Sequence, residues 1–485
     1  MRPSCQLSLK STVSLIDDGD DVLVADCDGR AVRIHAADTA VRAMVKGLAG
    51  GGRTAESLCG EGMADHAEAA FLSQVLGRIV ARGFACSTLV LGDRRLATLE
   101  PISTSYRPFD VPAAGRFRLS RFAWMHRLGE ESVLESPLGH ARVVLHDGSL
   151  AGLAGMLAQP RSAADLADAG AGVDQATAAV VLRFLVNAGV AFAADSEGRL
   201  DEDRNVALRQ WEFHDLLFHS RSRAGRQVGP IGSAARFKGD IPTLPAVKPP
   251  MSDRRVRLYK PDLAALAEND PSFSRVCEAR ASIRRGGERP IAVDQLGEFL
   301  YRSVRIKSLL PPVPEKGLPC EVSMRPCCSG GAIHPLEVYL SVHRVEGLDS
   351  GFYHYDPLRH ELEWLSEWTP LVRCLLIEAC GATGVFDRQA DVLLTLAARV
   401  PRTAWKYQAI AYSLILKDLG ALFQQMYLVA TAQGLAPCAI GGGNSDLFAQ
   451  VSGLDYYEET AVGEFILSSR PSAVHAAPAE PVGAP

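Results

Sequence analysis

The apolar pattern of this 485-residue chain changes character near residue 203, and that change limits its possible folds more than any other feature. Before it, one unit occurs twice. The first copy has a strand-like VLVADCDGRAVRI (22–34), a helical DTAVRAMVKGLAG (38–50) and a second helical stretch, AEAAFLSQVLGRIVARGF (67–84). The second runs VLESPLGHARVVL (133–145), GSLAGLAGMLA (148–158) and TAAVVLRFLVNAGVAF (177–192). Both closing segments place apolar residues at helical spacing and stop at a glycine, Gly83 and Gly189, the residue suited to the turn past a helix end. An offset of about 110 residues points to a duplicated domain rather than a solenoid.

Strands, then helices, then a short apolar strand predict two small α+β modules of winged-helix type, at 1–100 and 101–202. A nucleic-acid role does not suit them. The candidate recognition segments 67–83 and 177–189 are apolar, and Arg78 and Arg82 are the only cations in the first, whereas base and phosphate contacts need basic and amide side chains. The net charge of −5 also argues against a polyanion-binding surface. A peptide-docking module that adds a partner strand to a sheet edge fits better; a structural or dimerisation domain is the alternative. From 203 to 256 the composition shifts, and GPIGSAARFKGDIPTLPAVKPP (229–250) carries Pro and Gly without periodicity, which predicts an extended linker.

Residues 257–470 read as one α+β domain. Helices are predicted at 262–270, 276–280 and 293–302, and strands at 337–345, 351–356, 361–366, 391–400 and 462–469. A long helix from about Ala404 to Gln433, apolar nearly all round, belongs in a core or a dimer interface. The Ala- and Pro-rich residues 471–485 predict a disordered tail. The strongest apolar run, Ala409 to Leu416, is far short of the roughly 20 residues that span a bilayer. With no apolar signal core at the N-terminus, a cytoplasmic protein is predicted, and its 11 cysteines read as reduced thiols. Cys320, Cys327, Cys328 and His334 lack the spacing of a zinc site, so no metal is expected.

The phosphate loop, the dinucleotide fingerprint and the serine-hydrolase elbow are all missing. Three clusters in the C-terminal half can carry chemistry. Arg280, Ser282 and Arg284 offer two guanidiniums and a hydroxyl at alternate positions, suited to gripping a phosphate. RPCCSGGAIHP (325–335) places Ser329, Gly330 and Gly331 in a loop where backbone N–H groups can approach a flat ring, and Gly441, Gly442 and Gly443 do the same elsewhere.

Together these clusters resemble the FMN-binding nitroreductase fold, and closely its SagB/ThcOx branch of azoline dehydrogenases. RASIR (280–284) matches the family's Arg-x-Ser-x-Arg segment, and SGGAIHP (329–335) matches a loop of the branch. GFYHYDP (351–357), AWKYQAIAYSLILKDLGALFQQMYLVA (404–430), GLAPCAIGGG (434–443) and VGEFIL (462–467) echo further patterns in order, and FHDLLFHSRSR (213–223) resembles the branch's linker. The resemblance covers roughly 205–470. Cys327 and Cys328 depart from it, because relatives often have residues such as Ser or Pro there.

The resemblance implies a nitroreductase-like domain at 257–470 that holds FMN through Arg280, Ser282, Arg284, Ser329, Gly330, Gly331, His334 and Gly441–Gly443. It implies a catalytic pair, Lys406 and Tyr407, at the start of the long helix. Oxidising a thiazoline or oxazoline removes a Cα proton, which needs a base within hydrogen-bond reach, and a Cβ hydride, which FMN accepts at N5. It further implies an azoline-containing precursor peptide as substrate, a cyclodehydratase partner, a homodimer with the flavin site at its interface, and dioxygen as electron acceptor. An NAD(P)H-dependent nitro- or quinone reductase on the same fold, or a non-catalytic docking subunit, are the rival expectations.

Overall fold

Strands that are apolar on both faces must be covered from both sides, and such strands organise each half of this chain. The computed structural model describes residues 2–26, 31–35, 39–60, 66–103, 105–112, 114–169, 172–227, 229, 231–387 and 389–472. It divides into two units, Met1–Ile231 and Gly232–Pro485. Most of the predicted tail, 473–485, lies outside the described residues.

In the first unit, seven antiparallel strands run in the order Arg53–Thr54, Ser4–Leu9, Ala85–Leu91, Arg94–Pro101, Ala141–Leu145, Glu131–Glu135, Trp124–Leu128. The predicted modules are therefore not separate. Arg94–Pro101 of the first copy pairs with Ala141–Leu145 of the second, Leu99 opposite Val143. The physical reason lies in Ala85–Leu91 and Arg94–Pro101, whose mostly buried residues supply both cores. Phe84 and Ala85 pack with helices Thr39–Gly50 and His66–Ala81. Leu89, Leu96 and Leu99 pack with Ser149–Met156 and Gln175–Asn187. The segment 22–34 is not one strand. Asp21–Asp26 and Ala31–His35 pair antiparallel beside Val13–Asp18.

The predicted linker 203–256 is also divided. Helix Phe213–Arg221 belongs to the first unit, where Arg221 Nη2 meets Glu135 Oε2 at 2.6 Å and Arg226 Nη1 donates to the carbonyl of Pro137 at 2.7 Å. Residues 232–251 form a strap built into the second unit.

That unit has an α+β architecture. Its sheet runs Arg255–Arg257, Glu361–Glu367, Gly351–Asp356, Leu336–Val342, Val392–Arg399, Glu459–Ser469, Leu435–Ile440, with every neighbouring pair antiparallel. Among the described residues, the parallel pairing of this unit is confined to Ile291–Ala292 with Val345–Glu346. Alternate residues serve opposite faces. Phe465 joins the core under helices Val293–Val304 and Ala411–Ala432, and Ile466 joins the core under Pro370–Ala382 and Ser445–Ser452.

The predicted continuous helix 404–433 is broken. Helix Val400–Lys406 stops, Tyr407–Gln408 is extended and pairs with Gly232–Ser233 of the strap, and the long helix starts afresh at Ala411. Ala234 and Ala235 N–H groups donate to the Lys406 carbonyl at 3.0 and 3.1 Å. The helical ladder cannot use that carbonyl as well. Apolar periodicity alone carries no trace of this competition.

Candidate functional site

The break in the helix is where Lys406 and Tyr407 sit. Lys406 is 5 % exposed, and its ammonium lies 5.3 Å from the centre of the Tyr407 ring. The loop 329–335 closes over both. A Cβ on Gly331 would fall 2.3 Å from Tyr407 Oη and 2.7 Å from Lys406 Nζ, and Gly331 has a φ of +62°. Only glycine meets both conditions without displacing the pair. Ala235, Ala332, His334 and Ala409 also have positive φ, between 46° and 62°. All four lie in the segments that frame Lys406–Tyr407, a concentration of backbone strain of the kind that accompanies functional sites.

The loop is tied to the long helix through Asp418. Ser329 Oγ donates to Asp418 Oδ2 at 2.6 Å, the Gly330 N–H to Oδ1 at 2.9 Å, and the His334 N–H to Ser329 Oγ at 2.9 Å. Burial pushes the Asp418 carboxyl up, although the bonds from Ser329 and Gly330 pull it down. Burial also raises the Tyr407 phenol, with Asp418 and the Cys320 thiol adding to it. His334 falls to about 3 because it is buried and faces Arg325 and Arg402, so its imidazole is neutral.

Arg402, absent from the sequence expectations, holds this arrangement together. Its Nε donates to the Ile333 carbonyl at 2.8 Å, Nη1 to Leu244 of the strap at 2.7 Å and Nη2 to Glu321 at 2.8 Å. Among the described residues this buried guanidinium has no carboxylate partner, and burial beside Arg399 lowers it to about 10. Trp405 Nε1 adds a 2.6 Å bond to Ile241, and Lys248 bonds Tyr339 Oη and Glu459, so the strap is fixed along its length. Asp418 was equally unexpected; its signal is a lone acid within an apolar helix.

A small cavity of about 20 Å³ lies behind the loop, lined by Ser303, Arg325, Cys327, His334 and Asp418 among others. Arg325 Nη2 and Ser303 Oγ are buried there without a protein partner. The space suits about one water molecule. Burial drives the Cys327 thiol up to about 12, and the ten described cysteines are all unpaired.

The second cluster lies along the edge strand Leu435–Ile440. The Ile283 N–H donates to the Pro437 carbonyl at 2.8 Å, and Ser282 Oγ lies 2.7 Å from Tyr427 Oη. Arg280 sits over the Tyr427 ring at 5.4 Å. Among the described residues neither Arg280 nor Arg284 has a carboxylate within ion-pair distance, which leaves both guanidiniums free to take an anion. Gly441–Gly443 follow directly from this edge strand. The predicted residues thus form two groups. One is tied to the long helix at Asp418 and the other at Tyr427, nine positions or about 13 Å along its axis.

Residues 278–466 match the model of the nitroreductase family, and residues 117–228 match that of the cyanobactin oxidase ThcOx. Together the two matches fit a nitroreductase-fold protein of the SagB/ThcOx type. It is an oxidoreductase. A protein of Methanocaldococcus jannaschii named as a nitroreductase is 27% identical over 168 residues, which is 33% of this chain and 74% of that one. A Ralstonia eutropha structure named as a nitroreductase matches with 19% identity and a TM-score of 0.35, covering 50% of this chain and 100% of that one. The Escherichia coli microcin synthetase McbBCD, solved with truncated pro-MccB17 bound, matches with 18% identity and a TM-score of 0.31, covering 52% of this chain and 89% of that one. Among the described residues no helix is long and apolar enough to cross a membrane.

Proposed function

We propose that this nitroreductase-fold protein oxidises thiazoline or oxazoline rings in a precursor peptide to the corresponding azoles, with FMN as cofactor. The observation that carries the reading is Lys406, a buried amine at a helix break, pressed with Tyr407 against the side-chain-free face of Gly331. The donor set fits FMN. Arg280 and Arg284 supply unpaired guanidiniums beside the Ser282 hydroxyl, a match for a phosphate. Gly441 and Gly442 leave backbone open to a flat ring, whereas Glu464 covers Gly443 and Lys406 and Tyr407 cover Gly331. When bound, FMN supplies the hydride acceptor.

The chain's own residues do the rest. Lys406, as the neutral amine, takes the Cα proton on its Nζ, and Tyr407 orients the ring or relays that proton. Asp418 and Arg402 hold the loop and the strap around the pair, which excludes water and fixes its position. His334 belongs to the loop that would hold the cofactor and contributes no charge. In the homodimer that the resemblance implies, each flavin site would take elements from both copies.

The first unit is the docking part in this reading. Among the described residues its edge strand Trp124–Leu128 pairs on one side only, and it exposes Met125 and Leu128, which suits strand addition by the precursor peptide. A cyclodehydratase is the partner that would supply the azolines.

Mass spectrometry of an azoline-containing peptide incubated with the FMN-loaded protein tests the proposal. The expected result is a loss of two hydrogens per ring. Lys406→Ala should abolish that loss, a drop of about 10²–10⁴-fold for a general base, while FMN stays bound. Unchanged turnover in that variant would sink the assignment of the base, and rapid flavin bleaching by NADPH would favour a nitro- or quinone reductase instead.

A further inference from the structure

The catalytic sheet has a second opening, on the face that carries helix Pro370–Ala382. It is an open cavity of about 550 Å³, and its lining includes Glu378, Leu393, Gly443, Asp446, Tyr456 and Glu464. Glu464 stands in the strand Glu459–Ser469 opposite Thr395 and Ile440, on the same face as Ile466. It is 5 % exposed. Its carboxylate lies flat over Gly443, where a Cβ would meet Oε1 and Oε2 at 2.0 and 2.1 Å.

Among the described residues, Glu464 has no hydrogen-bond donor within reach and no cation within ion-pair distance. Burial alone lifts it to about 7. A carboxyl in that state is costly, and buried polar groups in native proteins almost always have a partner. The groups that face it from the surrounding elements supply none. Helix Pro370–Ala382 presents Glu378, whose Oε2 accepts from Asn444 Nδ2 at 3.0 Å, and helix Ser445–Ser452 presents Asp446 in its first turn. Tyr456 adds a phenol ring that is 42 % exposed. No Lys or Arg lines the cavity. A cation from outside the unit would give the charged carboxylate its partner. Among the described residues no set of His, Cys, Asp and Glu is grouped closely enough to hold a metal ion.

We propose that this cavity binds a guanidinium or ammonium group, with Glu464 as the buried counter-charge, Glu378 and Asp446 at the mouth and the Tyr456 ring as a stacking surface. A guanidinium suits the set best, because its planar fork meets a carboxylate with two parallel bonds while its face lies on an aromatic ring. The same chemistry can be carried by a free small cation or by a basic residue of a bound peptide. On the second source, the site selects peptides with an Arg or Lys outside the ring being oxidised.

Calorimetric titration of the full chain tests this with N-acetyl-arginine methylamide, its citrulline counterpart, and acetyl-Gly-Gly-Arg-Gly-Gly amide. The arginine compound should bind at least 10-fold more tightly than citrulline, and Glu464→Gln should remove that preference. Asp446→Asn, at an exposed position, should weaken arginine binding about 2- to 5-fold, and it reads the site if Glu464→Gln does not fold. A tighter fit for the pentapeptide than for the methylamide identifies a peptide residue as the source; equal affinity identifies a free cation. Equal binding of arginine and citrulline, or a Glu464→Gln protein that still prefers arginine, overturns the proposal. The readout is binding alone, so it does not depend on whether the protein oxidises azolines.

Discussion

The two units bury charge in different ways. In Met1–Ile231 the buried charged residues are few, and they act as clamps. Glu135 is gripped by His126 at 2.6 Å and Arg221 at 2.6 Å, and Glu202 takes Ser120 Oγ and the Arg121 N–H at 2.6 and 2.7 Å. In Gly232–Pro485 they are many: Glu337, Glu363, Asp391, Arg399, Arg402, Lys406, Asp418, Glu459 and Glu464 are all buried. Some are fully paired, as Glu337 is with His354 and Arg399 at 3.3 and 3.2 Å. Others are not. Arg402 has only backbone carbonyls, and among the described residues Lys406 and Glu464 have no charged partner at all. A buried charge without a counter-charge is unfavourable, so its persistence marks a place where something other than stability is being served. The first unit buries charge to hold itself together; the second also buries charge to present it.

Breaking that contrast has consequences of graded size. The largest is expected for Arg402→Met, which leaves the carbonyls of Ile333, Leu244 and Glu321 unpaired at once. A loss of about 3–5 kcal/mol is expected, read as a large fall in the melting temperature of the second unit with that of the first unchanged. Next is Gly331→Ala. The added methyl displaces Lys406 and Tyr407 and sits at a positive φ, so azole formation should fall about 10²-fold with little change in melting temperature. Glu135→Gln is smaller and falls in the other unit. Weakening one charge-assisted bond to Arg221 should cost about 1–2 kcal/mol, read by urea unfolding, and should leave FMN affinity untouched.

The pH dependence sharpens the comparison most gently. Burial would raise Glu337, but the bond and charge of His354, then Arg399 and Arg325, hold it at about 2. Burial likewise opposes the lowering of Glu363 by His354 and the Met251 N–H. Both carboxyls lie below their ordinary value of 4.5. Their contribution to stability is therefore present above pH 4.5 and lost as pH falls toward about 2. His354 is raised above 6.5 by Glu337 and Glu363 against its burial. Its contribution is present below pH 6.5 and lost as pH rises through its folded value. The second unit should thus be held best between about pH 4.5 and 6.5, and His354→Gln should flatten the acid limb of its melting temperature against pH.

Much of the fold was legible in the sequence. The helices 38–50, 67–84 and 177–192 appear as Thr39–Gly50, His66–Ala81 and Gln175–Asn187, and Gly83 and Gly189 end two of them with φ near +70°. Strands 351–356 and 361–366 appear as Gly351–Asp356 and Glu361–Glu367. These are local patterns, decided by which side of an element is apolar. The candidate site was half legible. Arg280, Ser282, the 329–335 loop and Lys406–Tyr407 stand out because their residue types suit a ligand, but Arg402, Asp418 and the strap do not. Arg402 donates to carbonyls at 244, 321 and 333, and carbonyls leave no trace in a sequence.

The chain's residues by themselves determined the secondary-structure periods, the two-part division and the motif-bearing loops, because each depends on neighbours within a few positions. Tertiary structure decided the rest. It merged the two N-terminal copies into one sheet, because strands apolar on both faces need cover from both sides. It broke the long helix at Lys406, because strap N–H groups compete for the carbonyl the helix would use. It left Glu464 buried without a partner, because its environment is set by Gly443, Glu378 and Asp446, none adjacent to it in sequence.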